Sequence, residues 1–142
     1  MQFTALAATL ALLFAPAVLA QSSVTVAYDE TYDSSSASLS TVSCSDGANG
    51  LETKGYTTFG SLPDFPYIGA AAAVSGWNSA ECGTCWELEY DGNTINVLAI
   101  DHAASGFNIA LAAMNELTNN QAQFLGRVTA TATQVDASSC GL

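Results

Sequence analysis

The stretch GWNSAECGTCW, residues 76–86, contains two of the four cysteines of the chain, Cys82 and Cys85. A Cys-x-x-Cys step occurs in redox sites, in zinc sites and in disulfide frameworks. A redox motif of the thioredoxin type opens a helix, whereas the residues after Cys85, WELEY, have the composition of a strand. A zinc site needs further ligands, and the chain has a single histidine, His102. Two structural disulfides are the favoured interpretation, with a redox site and a metal site as alternatives.

The first twenty residues, MQFTALAATLALLFAPAVLA, predict a secretory signal peptide. They are apolar from Leu6 onward, and small residues at Val18 and Ala20 fit cleavage before Gln21. A membrane anchor is the alternative, but Pro16 interrupts a run that is near the shortest length able to span a bilayer. We therefore expect a secreted protein, extracellular or in the cell wall, whose residues 21–142 form one domain.

A secreted destination favours disulfides, since they persist outside the cell. The cysteines form an even set that allows three pairings: Cys44, Cys82, Cys85 and Cys140. A disulfide between Cys82 and Cys85 would close a very small loop, so we expect the two disulfides to close longer loops instead.

The charge of the chain is strongly acidic. Thirteen Asp and Glu residues face only two basic ones, Lys54 and Arg127, and the net charge is −11. Phosphate groups are bound through cationic side chains, so neither nucleic acid nor an anionic membrane surface is an expected partner. The charge of the chain does not exclude neutral ligands such as polysaccharides.

Alternating apolar residues predict strands in several places. SVTVAYD (23–29) predicts the first, and Leu39 to Val42 predicts a short one. WELEYDGNTINVLAI (86–100) predicts a hairpin around Asp91-Gly92-Asn93. GRVTATATQVD (126–136) predicts a closing strand, with one face made of Val128, Ala130, Ala132 and Gln134.

Two segments indicate helix. AAAAVSGW (70–77) is consistent with one helical turn that ends at Gly76. ASGFNIALAAMNELTNNQ (104–121) carries apolar residues at helical spacing, with a stop expected at Asn119-Asn120: Phe107, Ala110, Leu111, Met114 and Leu117. Gly106 and Asn108 are expected to shape the turn into this helix, with the Asn as a cap. Short strands with one clear helix favour a small barrel with a helical insertion.

Six segments, in order and with all four cysteines, resemble the cerato-platanin family, small secreted proteins of filamentous fungi. They are VAYD, VSCSDGANGL, FPYIG, GWNSAECGTCW, INVLAIDHAASGFNIAL and GRVTATATQV followed by a cysteine. The resemblance covers essentially all of residues 21–142. It implies a mainly β fold, a six-stranded double-psi β-barrel with short helices, and the disulfides Cys44–Cys82 and Cys85–Cys140.

The resemblance also implies a function. Members of the family are known for binding chitin oligomers and for expansin-like loosening of polysaccharide without clear hydrolysis. They also self-associate into surface films and provoke host defence. We therefore expect a non-catalytic protein without metal or cofactor. Its expected partners are N-acetylglucosamine oligomers, with cellulose as an alternative glycan, a host immune receptor and other copies of the chain.

Four residues are predicted to line the glycan groove. Asp101 follows the apolar run Val97–Ile100, and a carboxylate there is costly to desolvate unless it is paired or faces a groove. The resemblance makes it a ligand of sugar hydroxyls, and a turn cap is the alternative. Tyr28 and Asp29 match the "YD" of the family, or else form a strand-end turn. Asn78 stands where some members carry Asp. Its amide can donate and accept hydrogen bonds, but it cannot act as an acid.

Other interpretations stay open beside this one. The protein could be a self-assembling or immune-recognised surface protein with incidental sugar binding, or a weak polysaccharide hydrolase. Hydrolysis needs a second carboxylate, for which Asp29 is the candidate beside Asp101. His102 is expected to have a structural role, and Trp86 to lie in the core. Trp77 is assigned equally to core and groove.

Overall fold

The computed structural model describes residues 10–13 and 20–142, so the predicted signal peptide lies mostly outside the described residues. Six strands are present in this part: β1 Gln21–Tyr28, β2 Ile68–Ala71, β3 Cys85–Tyr90, β4 Asn93–His102, β5 Phe107–Ile109 and β6 Arg127–Val135. Two short helices follow β5: α1 Leu111–Thr118 and α2 Ala122–Leu125. The described chain also has five single-turn 3-10 helices: Glu30–Asp33, Leu39–Thr41, Glu52–Lys54, Phe59–Ser61 and Ala137–Cys140. None of the described helices has the length and apolarity that a membrane crossing requires.

The six strands close into a barrel in the order β1-β5-β2-β4-β3-β6, and β6 pairs back with β1. The pairs β1–β5 and β2–β4 are parallel, and the other four pairs are antiparallel. Closure leaves no unpaired edge, which is how small all-β domains avoid association through open strands. The prediction of a six-stranded barrel with two disulfides is confirmed.

The β1–β6 pair shows why alternation predicted strands well. Val26 is fully buried opposite Val128, and Val24 lies opposite Ala130. Three residues of the predicted face, Val128, Ala130 and Ala132, are buried, whereas Gln134 is exposed and its neighbour Thr133 is buried.

The β3–β4 hairpin is confirmed, with a tighter turn than expected. Asp91 and Gly92 both have positive φ, 48° and 79°, and Asn93 already belongs to β4. Two successive residues with positive φ match the right-handed twist of a hairpin, which explains the Asp-Gly pair.

Three local predictions are wrong, because in each segment a longer-range contact or a cap determines the secondary structure. Leu39–Thr41 is a 3-10 helix, because the Ser38 side chain caps it at the backbone N–H of Ser40. The first half of the alanine run is the end of β2, since Ala70 and Ala71 pair with both β4 and β5, and the second half is a turn.

The third concerns the long helix predicted over residues 104–121. Its first part is β5, because Phe107 to Ile109 pair with β1 on one side and with β2 on the other. The helix begins only at Leu111, and it ends as predicted at Asn119, which adopts a left-handed conformation with φ 55°.

The disulfides join Cys44 to Cys82 and Cys85 to Cys140, which is the pairing that the resemblance implies. Cys85 starts β3, so the second bridge ties the C-terminal 3-10 helix to the barrel. The first bridge holds the loop around Cys44, whose backbone N–H also donates to the carbonyl of Ile100 at 3.0 Å.

Candidate functional site

Asp101 lies near the end of β4, directly after an irregularity in the sheet. The β2–β4 register runs from Gly69 opposite Ala99 to Ala70 opposite Asp101, so Ile100 is skipped. Such bulges bend a strand and re-aim the side chains that follow. Ile100 is buried in the core, and the next residue, Asp101, is only partly buried.

Three donors hold the Asp101 carboxylate. Its Oδ2 accepts from the hydroxyl of Tyr32 at 2.9 Å, and its Oδ1 accepts from the backbone N–H groups of Ser43 and His102 at 3.0 and 2.9 Å. A carboxylate has about four lone-pair sites, so one acceptor position is left for a ligand. The carboxylate is therefore fixed in place while keeping the capacity to bind a hydroxyl.

Tyr32 is the main partner of this carboxylate, and the sequence did not identify it. It sits on the 3-10 helix Glu30–Asp33, is only 6% exposed, and stacks on Phe59 with ring centroids 6.1 Å apart. Burial, followed by the negative charge of Asp101, raises the pKa of the Tyr32 hydroxyl. Tyr32 therefore keeps its proton and remains a donor to Asp101.

Asp29 belongs to the same end of the barrel. Its Oδ1 accepts from the backbone N–H of Thr31 at 2.8 Å, and its own N–H donates to the carbonyl of Ile109. Its charge also contributes to the raised pKa of Tyr32, so Asp29 and Asp101 both act on that hydroxyl. Tyr28, at the end of β1, is partly buried against the core opposite Ile109.

Asn78 occupies a separate position. Its Oδ1 accepts from the N–H of Asn49 at 2.9 Å, and its backbone carbonyl accepts from the Asn49 amide at 3.1 Å. Its φ of 57° suits Asn, which tolerates the left-handed region. The hydrogen bonds found among the described residues do not join Asn78 to Asp101; Asn78 braces the loop at Asn49 instead.

The two tryptophans differ in exposure. Trp77 is 63% exposed, and its indole N–H donates to Asp46 Oδ1 at 2.7 Å. Trp86 packs against the core, as predicted, with its ring edge-on to Phe107 at 5.7 Å. Trp77 is therefore an oriented surface aromatic beside Asn78.

A cavity of about 300 Å³ has His102, the residue that follows Asp101, in its wall, whereas Asp101 does not line it. It is lined by Thr25, Ala27, His102, Ala103, Ala104, Ser105, Phe107, Asn108 and Arg127. The ring of His102 is held by its Nδ1, which donates to the carbonyl of Val74 at 2.6 Å, in keeping with the structural role expected for it. Asn108 lies within β5 and lines this cavity, so the expectation that it caps the helix is wrong.

The lining of this cavity thus carries hydroxyl, amide and guanidinium groups. This set can exchange hydrogen bonds with a polyhydroxylated ligand, which needs both donors and acceptors. Within the described residues there is no group of three or more His, Cys, Asp or Glu placed to hold a metal ion.

Comparison with known proteins supports one family. The family model described as Cerato-platanin matches residues 24–142. The chain is 46% identical to the heat-stable 19 kDa antigen of Coccidioides immitis, over 100% of this chain and 99% of that protein. It is 54% identical to the allergen Asp f 15 of Aspergillus fumigatus, over 82% of this chain and 76% of that protein. It is 35% identical to cerato-platanin of Ceratocystis fimbriata f. sp. platani, over 88% of this chain and 92% of that protein.

Solved structures agree with the sequence matches. The crystal structure of cerato-platanin 2 from M. perniciosa is similar with a TM-score of 0.82 and 48% identity, over 85% of this chain and 100% of that chain. The solution structure of the fungal elicitor cerato-platanin is similar with a TM-score of 0.75 and 36% identity, over 82% and 96%. The chain therefore belongs to the cerato-platanin family.

Proposed function

We propose that this protein is secreted and binds oligomers of N-acetylglucosamine, as in chitin, at the end of the barrel that carries Asp101. The observation that carries the proposal is a carboxylate that three donors fix, followed in the chain by a residue that lines a polar cavity. An acceptor that is already oriented does not lose rotamer freedom when a sugar arrives, so more of the hydrogen-bond energy appears as affinity.

The glycan would extend from Asp101 along the cavity. Asn108, Ser105 and Arg127 line it and supply donors for ring hydroxyls and acetamide oxygens. A neutral sugar suits a chain of net charge −11 better than a polyanion. Because each exposed hydrogen bond contributes only about 0.5–1.5 kcal/mol net, we expect weak binding. Cellulose, which lacks the acetamide, should bind less tightly.

We further propose that the glycan is bound without being cleaved. An inverting hydrolase needs one carboxylic acid that gives a proton and one carboxylate that activates water. Asp101 and Asp29 both accept hydrogen bonds from backbone N–H groups, which suits acceptors and leaves no obvious proton donor. A weak hydrolase would release shortened oligomers, and their absence over a day would support simple binding.

The test compares retention on chitin beads for three proteins. Asp101→Asn keeps the side-chain shape but loses the charge, and we expect its retention to fall at least tenfold. Asp91→Asn is the matched control, because it removes the same charge from an exposed turn in which Asn is also favourable. Equal retention of both variants would contradict the proposed site.

Host recognition is a second candidate function, in which the protein elicits defence as an antigen. The relatives named above carry the names antigen, allergen and elicitor. Two large exposed side chains, Trp77 at 63% and Phe124 at 88%, offer surface on which a receptor or a second copy can dock. If sedimentation and receptor binding change in Trp77→Ser and Phe124→Ser but not in Asp101→Asn, this function is separate from glycan binding.

A further inference from the structure

The cavity that His102 lines is built on one row of residues across three neighbouring strands. The strand register places Asn108 of β5 opposite Ala27 of β1, and Ala27 opposite Arg127 of β6. Residues paired across neighbouring strands point to the same face of a sheet. Since adjacent strands are about 4.8 Å apart, the backbones of Asn108 and Arg127 are roughly 10 Å apart. The short side chain of Ala27 therefore forms a floor between two longer polar side chains.

The loop between β4 and β5 forms another wall of this cavity, and it is held at both ends. The N–H of Ala103 donates to the carbonyl of Ala71 at 3.2 Å. The carbonyl of Gly106 accepts from the N–H of Ala72 at 2.9 Å. Gly106 has a φ of 55°, and a Cβ at this position would collide with the carbonyl oxygen of Thr25 in β1. Because the wall is fixed before a ligand arrives, little conformational freedom is lost on binding.

The charge of this cavity is opposite to that of the protein as a whole. The chain has thirteen Asp and Glu residues and only two Lys and Arg. Among the described residues that line the cavity none is acidic, and one is Arg127. Arginine stays protonated in proteins, so a cationic ligand group would meet a like charge there with no carboxylate in the lining to compensate it. The cavity therefore disfavours cations, although the protein as a whole attracts them.

An N-acetyl group can use each part of the lining. Its carbonyl oxygen can accept from the guanidinium of Arg127, and its N–H can donate to Asn108 or Ser105. Its methyl can pack on Ala27 and Ala104. A plain hydroxyl, as in cellulose, leaves the alanines uncovered, and so does a carboxylate. A protonated amine is repelled by Arg127, so the acetamide is the group that the cavity fits best.

We propose that Arg127 makes the protein selective for acetylated chitin, so that deacetylated units, whose amines are protonated, are rejected. The inference rests on the proposed binding of chitin oligomers and adds the residue that recognises the N-acetyl group. Discrimination of this kind needs a repulsive contact with the wrong ligand as well as a favourable contact with the right one. The net charge of −11 predicts the opposite preference, for the polycation. Because 0.15 M salt screens exposed charges beyond about 8 Å, contacts inside the cavity should dominate.

The test is an NMR titration of the isotope-labelled protein with chitin hexamer and with the fully deacetylated hexamer, at pH 5 in 0.15 M salt. We expect chitin hexamer to bind about tenfold more tightly, with shifts at the amides of Ala27, Asn108 and Arg127. Arg127→Gln keeps an amide donor at this exposed position but loses the charge. In this variant the affinity ratio should fall to about threefold or less, because the deacetylated hexamer gains affinity.

Lys54→Gln is the matched control, because it removes the same charge from an exposed position on the 3-10 helix Glu52–Lys54. It should keep the affinity ratio of the native protein. An equal fall of the ratio in this control would assign the selectivity to net charge and overturn the inference.

Other results overturn the inference in distinct ways. Equal or tighter binding of the deacetylated hexamer, or an unchanged ratio in Arg127→Gln, would remove Arg127 as the selecting residue while chitin binding stands. Tighter binding of a galacturonate hexamer than of chitin hexamer would make the cavity a carboxylate site. If the native protein does not bind chitin hexamer at all, the proposed function fails together with the inference, so the two failures can be told apart.

Discussion

Two carboxylates in this protein have opposite environments. Asp101 accepts hydrogen bonds from three donors, whereas the Oδ2 of Asp64 is buried and has no donor within residues 10–13 and 20–142. Asp101 could be singled out from the sequence because its apolar neighbours are local, at Val97 to Ile100. Tyr32 could not, because it lies 69 positions from Asp101 and no local pattern couples them. Asp64 was equally hidden, since no local pattern predicts that its Oδ2 is buried.

The burial of Asp64 predicts a pH-dependent stability. The folded protein keeps this proton up to a pKa of about 7, whereas the unfolded chain loses it near 3.8. The free energy of unfolding should therefore fall between these two pH values as pH rises. Asp64→Asn cannot titrate, so its stability relative to the native chain should increase across this window and stay constant above it.

Urea denaturation of both proteins at pH 4 and pH 8 measures this effect. Because Asp64 is only partly buried and is screened by solvent, we expect a relative gain on the order of 1 kcal/mol. The remaining carboxyls titrate in both proteins and cancel in the difference. A difference that does not change with pH would contradict the assignment of the raised pKa to Asp64.

At the scale of elements, helix α1 depends on a residue far away in the chain. The residue at its N-cap position, Ala110, has no polar side chain to cap the free N–H groups. Asp33 does so instead: its two oxygens accept from Leu111 and Ala112 at 2.7 and 2.9 Å. A helix of eight residues is not stable alone, so this cap and its packing fix where it begins. Apolar spacing predicted the helix but could not predict that the first part of the predicted segment, Phe107–Ile109, would form strand β5.

Loss of this cap should destabilise the protein. Asp33→Ala removes both acceptors and a negative charge at the helix N-terminus, so we expect the free energy of unfolding to fall by about 1–2 kcal/mol. Glu30→Ala is the control, because it removes an exposed acid from the same 3-10 helix. Chemical denaturation measures both variants. If Glu30→Ala costs as much, the effect belongs to the 3-10 helix and not to α1.

At the scale of the whole molecule, the two disulfides hold different parts of the chain to the barrel. The closed order of strands was implied by a resemblance that spans the domain, and periodicity alone predicted only some of the strands. Cys85–Cys140 fastens the C-terminal turn to β3, whereas Cys44–Cys82 holds the loop whose Ser43 N–H reaches Asp101. The first bridge therefore adjoins the loop that contributes to the proposed glycan site, whereas the second ties down the C-terminal turn.

Removing the two disulfides one at a time should show which of them affects glycan binding in addition to the stability of the fold. Replacing either pair by alanine should lower the free energy of unfolding by about 2–5 kcal/mol, as is typical of small disulfide-bonded domains. Calorimetry measures this loss. Among molecules that remain folded, only the variant without Cys44–Cys82 should lose affinity for chitin hexamer. Equal loss of affinity in both variants would show that the loop at Ser43 does not position Asp101.

The central claim is that Asp101 and its hydrogen-bond partners bind a chitin-type glycan. The most direct measurement is an NMR titration of the isotope-labelled protein, residues 21–142, with chitin hexamer, following protein shifts and the length of the oligomer for a day. We expect shifts centred on Asp29, Tyr32 and Asp101 and extending to Asn108, with an intact oligomer. No shifts at millimolar sugar, or shifts confined to Trp77 and Phe124, would contradict it, and a shortened oligomer would show that the protein is a hydrolase.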